Sequence, residues 1–197
     1  MKTDIYTITG DKSDLTEIQN QIRKAAAYNS LSEKDTIRLE LIGEELLGLE
    51  KGILGLTVGE FHIETDKKSY HLCLHALVNL DIDTQEEFVN MSKNQKNEAY
   101  KGFKGKMRLI MDTFLYTPSG AELAEFDSYI VSGASISAFS PANYDMTWMF
   151  SEYKNSLKSA TPEWDELEHS ILANVADDIV VGTRNNSVDI VVTKKFD

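Results

Sequence analysis

Cysteine is almost absent from this chain of 197 residues, since Cys73 is the only one. A single cysteine excludes an intrachain disulfide and a four-cysteine zinc site, and it favours a reducing compartment. The sequence also lacks an apolar run long enough to span a bilayer, and its first residues lack the apolar stretch of a secretory signal. We therefore expect a cytoplasmic protein that does not enter a membrane.

Positive charge is also scarce. The chain has 20 basic residues against 32 acidic ones, which gives a formal net charge of -12. An excess of negative charge is repelled by phosphate backbones and by anionic lipid headgroups. We therefore expect neither nucleic acid nor a membrane surface as a partner.

The pattern of apolar residues predicts one α/β domain over residues 1–197. Alternation and helical spacing predict the following elements: strands at 5–8, 61–65 and 70–78, helices at 15–28, 34–54 and 106–115, a helix after Pro162, and a terminal hairpin of strands 179–181 and 188–192. Residues 117–147 are rich in serine, alanine, glycine and tyrosine and show no clean period. We expect this segment to be an insertion or a long loop.

The most informative motif is a basic, glycine-containing segment. Six of the 20 basic residues lie within residues 93–108, where only Glu98 opposes them. Gly102 and Gly105 interrupt this segment just before the apolar run 107–111. Glycine lets backbone N–H groups approach an anion, and the first turn of a helix leaves such donors unpaired. The motif is typical of an anion site, and the alternative is a solvated basic helix start that binds nothing.

The second helix combines a broad apolar stripe with small residues beside it. The stripe consists of Leu39, Ile42, Leu46, Leu49 and Ile53, and the adjacent sector consists of Leu41, Glu45, Gly48 and Gly52. Each interior glycine costs about 1 kcal/mol relative to alanine. Close approach of a strand or a ligand would offset that cost, and the alternative is that the glycines only let the helix pack tightly on the sheet.

Three potential zinc ligands alternate along the third predicted strand. His71, Cys73 and His75 occupy every other position, so their side chains share one face. Alternate residues of one strand are about 7 Å apart, so three of them rarely meet at one ion. We therefore expect a polar or interfacial sheet face and no metal site. His62 and His169 have no obvious acid or nucleophile beside them.

The order of these elements resembles the GHKL group, which contains histidine-kinase-type ATPases and bacterial anti-sigma kinases. The residues that carry the resemblance are the helix with Glu44-Glu45-Leu46-Leu47 and the helix that follows Gly102-x-x-Gly105. The likeness covers most of the chain outside 117–147 and extends to uncharacterised Firmicute proteins with a histidine-kinase-like ATP-binding domain. It implies the Bergerat fold, an α/β (α+β) two-layer sandwich with helices on one face of a mixed, mostly antiparallel sheet.

The resemblance also implies site residues. Glu45 matches the glutamate that acts as a base toward water, but the magnesium-binding asparagine four residues later is replaced by Leu49. If Glu44 takes that role, the position falls on Gly48. Neither residue can bind a metal.

The two nucleotide-contacting motifs of the family match unequally. The Asp-x-Gly that reads adenine is missing, and Asn79 or Asp81 would stand in for it. The phosphate turn is matched best, which places Gly102, Lys104, Gly105 and Lys106 near the phosphates.

Two functional hypotheses follow from the resemblance. The first is a regulatory protein that binds ATP or ADP, with an ATPase or anti-sigma-type kinase activity left open because the Mg²⁺ ligand is missing. The second is a non-catalytic protein-interaction module that has lost nucleotide binding. Both include a protein partner, and both allow a homodimer.

Overall fold

Seven strands and three helices form the part of the chain that the computed structural model describes, namely residues 1–49, 59–77, 134–136, 146–151, 171–184 and 187–197. In chain order these elements are β1 (Tyr6–Ile8), α1 (Ser13–Tyr28), α2 (Glu33–Leu49), β2 (Gly59–Asp66), β3 (Ser69–Leu77), β4 (Ala134–Ile136), β5 (Met146–Met149), α3 (Ile171–Val175), β6 (Asp178–Arg184) and β7 (Ser187–Lys195).

The strands form one sheet in the order β1-β2-β3-β7-β6-β5-β4, and every neighbouring pair is antiparallel. Antiparallel neighbours need only short connections, and both β2–β3 and β6–β7 are hairpins, as the alternating sequence predicts. The chain therefore has an α+β fold. β4 lies inside the segment 117–147, so part of that segment completes one edge of the sheet.

One face of the sheet contributes its side chains to the hydrophobic core. Alternate residues of β2 and β3 are buried, as expected for strands with one covered face. In one row across four strands, Phe61 pairs with Leu74, Leu74 with Ile190, and Ile190 with Val181. All four side chains are at most 2% exposed.

Helices α1 and α2 pack on this face of the sheet through the apolar sides that their periodicity predicts. Ile18, Ile22 and Ala25 of α1 are buried, and so are the stripe residues Leu39, Ile42, Leu46 and Leu49 of α2. All of them belong to one core cluster with the inward side chains of the strands. Ile53, the last residue of the predicted stripe, lies outside the described residues.

The two helices are joined by a tight connection in which each end is capped. At the end of α1, Leu31 N–H donates to the Ala26 carbonyl at 2.9 Å and Ser30 N–H donates to the Ala27 carbonyl at 3.1 Å. This is a Schellman motif, in which the residue at the position of Ser30 is left-handed. At the start of α2, the Ser32 hydroxyl accepts from Asp35 N–H at 3.2 Å and so caps the N-terminus of the helix.

The left-handed position leads to a stability prediction. Ser30 has a φ of 56°, which costs a residue with a Cβ about 1–2 kcal/mol, whereas glycine adopts it freely. We expect Ser30→Gly to raise the free energy of unfolding by about 0.5–1 kcal/mol after the larger chain entropy of glycine is deducted. Urea denaturation would measure the change. Ser30→Ala is the control because it keeps the Cβ, and an equal gain in both variants would contradict the explanation.

Candidate functional site

Most residues that the sequence assigns to a nucleotide site lie outside the described residues. They are Asn79, Asp81, Gly102, Lys104, Gly105 and Lys106. Glu45 and Gly48, both on α2, are the two that the structure places. The described part of the candidate site therefore consists of α2 and of the polar clusters that the described strands bring together.

Glu45 is half-buried on α2, while the neighbouring Glu44 is exposed. One turn further, Leu49 is 0% exposed and belongs to the core cluster. Leu49, one of the two positions that the resemblance to the GHKL group aligns with a metal-binding asparagine, is thus an apolar side chain of the hydrophobic core. The carboxylate of Glu45 therefore has no potential metal ligand at position 49, one turn further along α2.

The structure describes one of the two glycines predicted to allow a close approach. Gly48 is exposed on α2, and Gly52 lies outside the described residues. Gly43 is the buried glycine: a Cβ there would lie 2.6 Å from Ile22 Cδ1 and 3.1 Å from Ile18 Cγ2. Sequence inspection could have found it, because position 43 lies inside the apolar stripe, one turn after Leu39.

The face of the sheet opposite the core carries a polar cluster, and no described helix packs on it. His71, Cys73 and His75 are half-buried at alternate positions, which confirms that they share this face. The register adds residues from the neighbouring strand, since His62 lies opposite Cys73 and Glu64 opposite His71. We call the face that contains these five residues the open face.

Two histidines of the open face are held by residues of β7. His75 Nδ1 donates to the Asp189 carboxylate at 2.7 Å. His71 Nδ1 lies 3.0 Å from the Thr193 hydroxyl, and its Nε2 lies 3.3 Å from the Ser69 hydroxyl. Both rings are therefore oriented by defined partners. The partner of His75 is a carboxylate, whereas the partners of His71 are hydroxyl groups.

The prediction that His62 has no acid beside it is wrong. His62 Nε2 lies 3.3 Å from Glu64 Oε1, and Lys2 Nζ donates to the same oxygen at 3.0 Å. The hydrogen bond from Lys2, with a smaller contribution from His62, lowers the pKa of Glu64 below its usual value although partial burial opposes this. The signal was present in the sequence, because alternate residues of a strand share a face.

Cys73 lies in the middle of the open face, and its thiol is unreactive. Burial, aided by the negative charges of Glu64 and Asp189, raises the pKa of its thiol to about 12. A thiol with such a pKa is protonated at neutral pH and is a poor nucleophile. Within the described ranges, no three histidine, cysteine or acidic side chains already converge on one point in the manner of a metal site.

A second polar cluster surrounds Asp14, which is 0% exposed at the start of α1. Its Oδ1 accepts from Tyr6 Oη at 2.9 Å and from both the backbone N–H and the hydroxyl of Thr9 at 3.2 Å. Burial alone would raise the pKa of Asp14, but these bonds and one from the Gly10 backbone outweigh it and lower the pKa. The cluster fixes the β1–α1 turn, because Asp14 on α1 binds Tyr6 of β1 and Thr9 of the turn.

A shallow cleft of about 290 Å³ lies between the N-terminal strand and α1. It is lined by residues 1–6 together with Glu17, Gln21 and Lys24. Neither Glu45 nor the open-face residues contribute to it. The cleft is thus separate from both parts of the candidate site.

Comparisons of the chain with protein-family models, with curated proteins and with solved structures give no match. None of the helices in the described ranges is both long enough and apolar enough to cross a membrane. The likeness to the GHKL group therefore rests on the residues quoted from the sequence alone.

Proposed function

We propose that this chain is a regulatory protein that binds an adenine nucleotide, ATP or ADP, without hydrolysing it. The observation that carries the proposal is the basic glycine segment at 101–108 in a protein of net charge -12. Backbone donors and lysines are the groups that hold nucleotide phosphates. The α+β layer arrangement, with a long helix packed on an antiparallel sheet, supports the proposal as a scaffold of the expected class.

The environment of Leu49 argues against catalysis. Phosphoryl transfer and nucleotide hydrolysis need a metal ion held against the phosphates. The position one turn after Glu45 is buried in the core and apolar. Glu45 would then contact the bound nucleotide or its water shell without activating a nucleophile, and binding would regulate the protein's affinity for a partner in the cytoplasm.

The second candidate function is a protein-interaction module without nucleotide. It is favoured by the missing Asp-x-Gly motif and by the open face, whose five residues on β2 and β3 are polar and not fully buried. Antiparallel sheets with one free face are common, so this observation ranks below the basic glycine segment.

Calorimetric titration of ATP and ADP, each with and without Mg²⁺, tests the proposed function. We expect binding with a Kd on the order of micromolar that changes little when Mg²⁺ is removed, because the chain lacks the metal ligand. Replacing Lys104 and Lys106 by glutamine should weaken binding by about 10- to 100-fold, because each lysine–phosphate hydrogen bond is worth about 1.5 kcal/mol or more. Gly102→Val/Gly105→Val should abolish it.

A matched charge control is available in the β2–β3 turn. Lys67 and Lys68 are exposed there, so Lys67→Gln/Lys68→Gln removes the same charge without touching the glycine segment. Equal weakening in the two double variants would show that only net charge matters. If the wild type gives neither heat nor a thermal shift at millimolar nucleotide, the proposal fails and the interaction-module function takes its place.

A further inference from the structure

The cleft between the N-terminal strand and α1, which we call the N-terminal cleft, lies beside a β-bulge. Lys2 pairs with Glu64 and Tyr6 pairs with Phe61, so the edge strand has one more residue between its paired positions than β2 has. An extra residue of this kind defines a bulge, which bends an edge strand and is common beside functional sites. Residues 4 and 5 lie within the bulge, are exposed and line the cleft.

A chain of two hydrogen bonds across the bulge orients the side chain of Gln21. Ile63 N–H donates to Thr3 Oγ1 at 2.9 Å, and Thr3 Oγ1 donates to Gln21 Oε1 at 2.8 Å. The hydroxyl of Thr3 has one hydrogen, which it gives to the amide oxygen. The amide NH₂ group of Gln21 is therefore directed away from Thr3.

This NH₂ group offers two donors to the N-terminal cleft. Gln21 is only 6% exposed and lines the cleft, so the small surface that it exposes opens into the cleft. Among the described residues, none accepts a hydrogen bond from Gln21 Nε2. Polar groups of buried side chains are rarely left without a partner, so these donors select an oxygen acceptor that enters the cleft.

We propose that the N-terminal cleft binds a short zwitterionic peptide of about two residues by its two ends. The carboxylate of the peptide accepts from Gln21 Nε2 and faces the ammonium group of Lys24. The amine of the peptide donates to the carboxylate of Glu17. All three residues line the cleft, and their positions 17, 21 and 24 place them on one side of α1 in the order anion, amide, cation.

The anionic end of the cleft has room for an amine. Glu17 is half-buried, and its Oε2 accepts from Asn20 Nδ2 at 3.4 Å, which leaves Oε1 for the ligand. Asp4, on the strand side of the cleft, supplies a second carboxylate.

The cationic groups of the cleft are mostly engaged. Lys2 Nζ donates to Glu64 at 3.0 Å, and the Met1 amine donates to the Thr65 carbonyl at 2.7 Å. Lys24 is exposed and forms no ion pair with a described residue. One available ammonium beside two carboxylates disfavours a simple anion such as phosphate and matches a ligand that carries both charges.

The spacing on α1 sets the length of the ligand. Residues four apart in a helix are about 6 Å apart along its axis, as Glu17 and Gln21 are. An extended peptide spans about 3.3–3.6 Å per residue, so two residues bridge this distance and one does not. The cleft volume of about 290 Å³ is at the lower limit of small-molecule sites, so only a few residues can be enclosed.

The test is an NMR titration of the full chain with the dipeptide alanyl-alanine, its N-acetylated form and free alanine. We expect the dipeptide to shift the side-chain NH₂ signals of Gln21 saturably, with a Kd on the order of 1 mM because the cleft is shallow. N-acetylation and Glu17→Gln should each weaken binding about three- to tenfold. Combined, they should weaken it no further, because both remove the same contact. Free alanine should bind about tenfold more weakly than the dipeptide.

A matched pair of variants on α1 tests the role of Gln21. Gln21→Glu replaces the donors by a carboxylate of the same shape and should abolish the shifts of the backbone signals around the cleft. Gln19→Glu makes the same change at a position that does not line the cleft, and it should bind within about twofold of the wild type.

Three results would overturn the proposal. One is the absence of saturable shifts at about 20 mM dipeptide, which would mean that only water occupies the cleft. Another is equal affinity for the dipeptide, its acetylated form and alanine, and the third is equal weakening by Gln19→Glu and Gln21→Glu. If Gln21→Glu does not fold, the comparison of the three ligands on the wild type decides. No part of this test depends on the proposed nucleotide binding, so either proposal can fail alone.

Discussion

Gly43→Val is expected to lower the free energy of unfolding by about 3 kcal/mol. The Cβ alone would lie 2.6 Å from Ile22 Cδ1 and 3.1 Å from Ile18 Cγ2, and both isoleucines are at most 1% exposed. A buried side chain in a close-packed interior has no free space to move into, so α1 and α2 must separate. Valine adds two further methyl groups at the point where the two helices touch.

A matched pair of alanine substitutions isolates this packing effect from helix propensity. Gly43→Ala and Gly48→Ala both replace a glycine within α2, and alanine is worth about 1 kcal/mol more than glycine inside a helix. Gly48 is exposed, so Gly48→Ala should raise stability by up to that amount. Gly43→Ala should instead lower it by about 1 kcal/mol, because the overlap with Ile22 exceeds the gain in propensity.

Shortening the partner should rescue the buried variant. Ile22→Val removes the Cδ1 atom that lies closest to the new Cβ. The double variant Gly43→Ala/Ile22→Val should therefore be more stable than the sum of the two single changes by about 1 kcal/mol or more, as measured in a denaturant double-mutant cycle. Additive single effects, or stabilisation by Gly43→Ala alone, would contradict the packing role assigned to Gly43.

The periodic parts of the fold were predictable from the sequence, because burial selects residues by face. The stripe of Leu39, Ile42 and Leu46 marks the buried side of α2 without any tertiary information. Alternation marks β2 and β3 in the same way. The β5–β6 pairing was not predictable, because its partners are far apart in the sequence and the residues before β5 show no clean period.

The contacts between polar side chains were only partly predictable from the sequence. That His71 and Cys73 share a face follows from alternation within one strand. That His62 lies opposite Cys73 depends on the register of the hairpin, which a shift of one residue would reverse to the other face. The single-strand pattern therefore predicts a polar face correctly but does not show which side chains of β2 and β3 lie opposite each other on it.

Asp14→Ala is expected to lower the free energy of unfolding by about 3 kcal/mol. The carboxylate is fully buried, and its Oδ1 accepts three hydrogen bonds, from the Tyr6 hydroxyl and from the backbone and hydroxyl of Thr9. A hydrogen bond to a charged group contributes about 1.5–3 kcal/mol, and alanine leaves the donors of the β1–α1 turn without an acceptor. Circular dichroism during urea unfolding measures the loss.

Asp14→Asn removes the negative charge of the side chain but keeps its shape. Its effect on the free energy of unfolding should depend on pH. The pKa of Asp14 is lower in the folded protein than in the unfolded chain, because the bonds from Thr9, Tyr6 and Gly10 outweigh the cost of burial. A lowered pKa stabilises the fold above the unfolded value of about 3.9. That stabilisation is lost as the pH falls through the lower, folded value.

The stability difference between wild type and Asp14→Asn should therefore be largest near pH 7 and shrink steadily as the pH falls below about 4. The control is Asp4→Asn, an exposed carboxylate in the segment that precedes β1, which should change stability by less than about 0.5 kcal/mol at any pH. A difference between wild type and Asp14→Asn that stays constant from pH 7 to pH 2 would mean that folding does not change the pKa of Asp14, which would contradict the prediction. A difference that moves in wild type's favour as the pH falls from 7 to 4 would mean that the buried carboxyl is protonated in the fold. The bonds to Asp14 would then join neutral groups, and the 3 kcal/mol expected for Asp14→Ala would fall to about half.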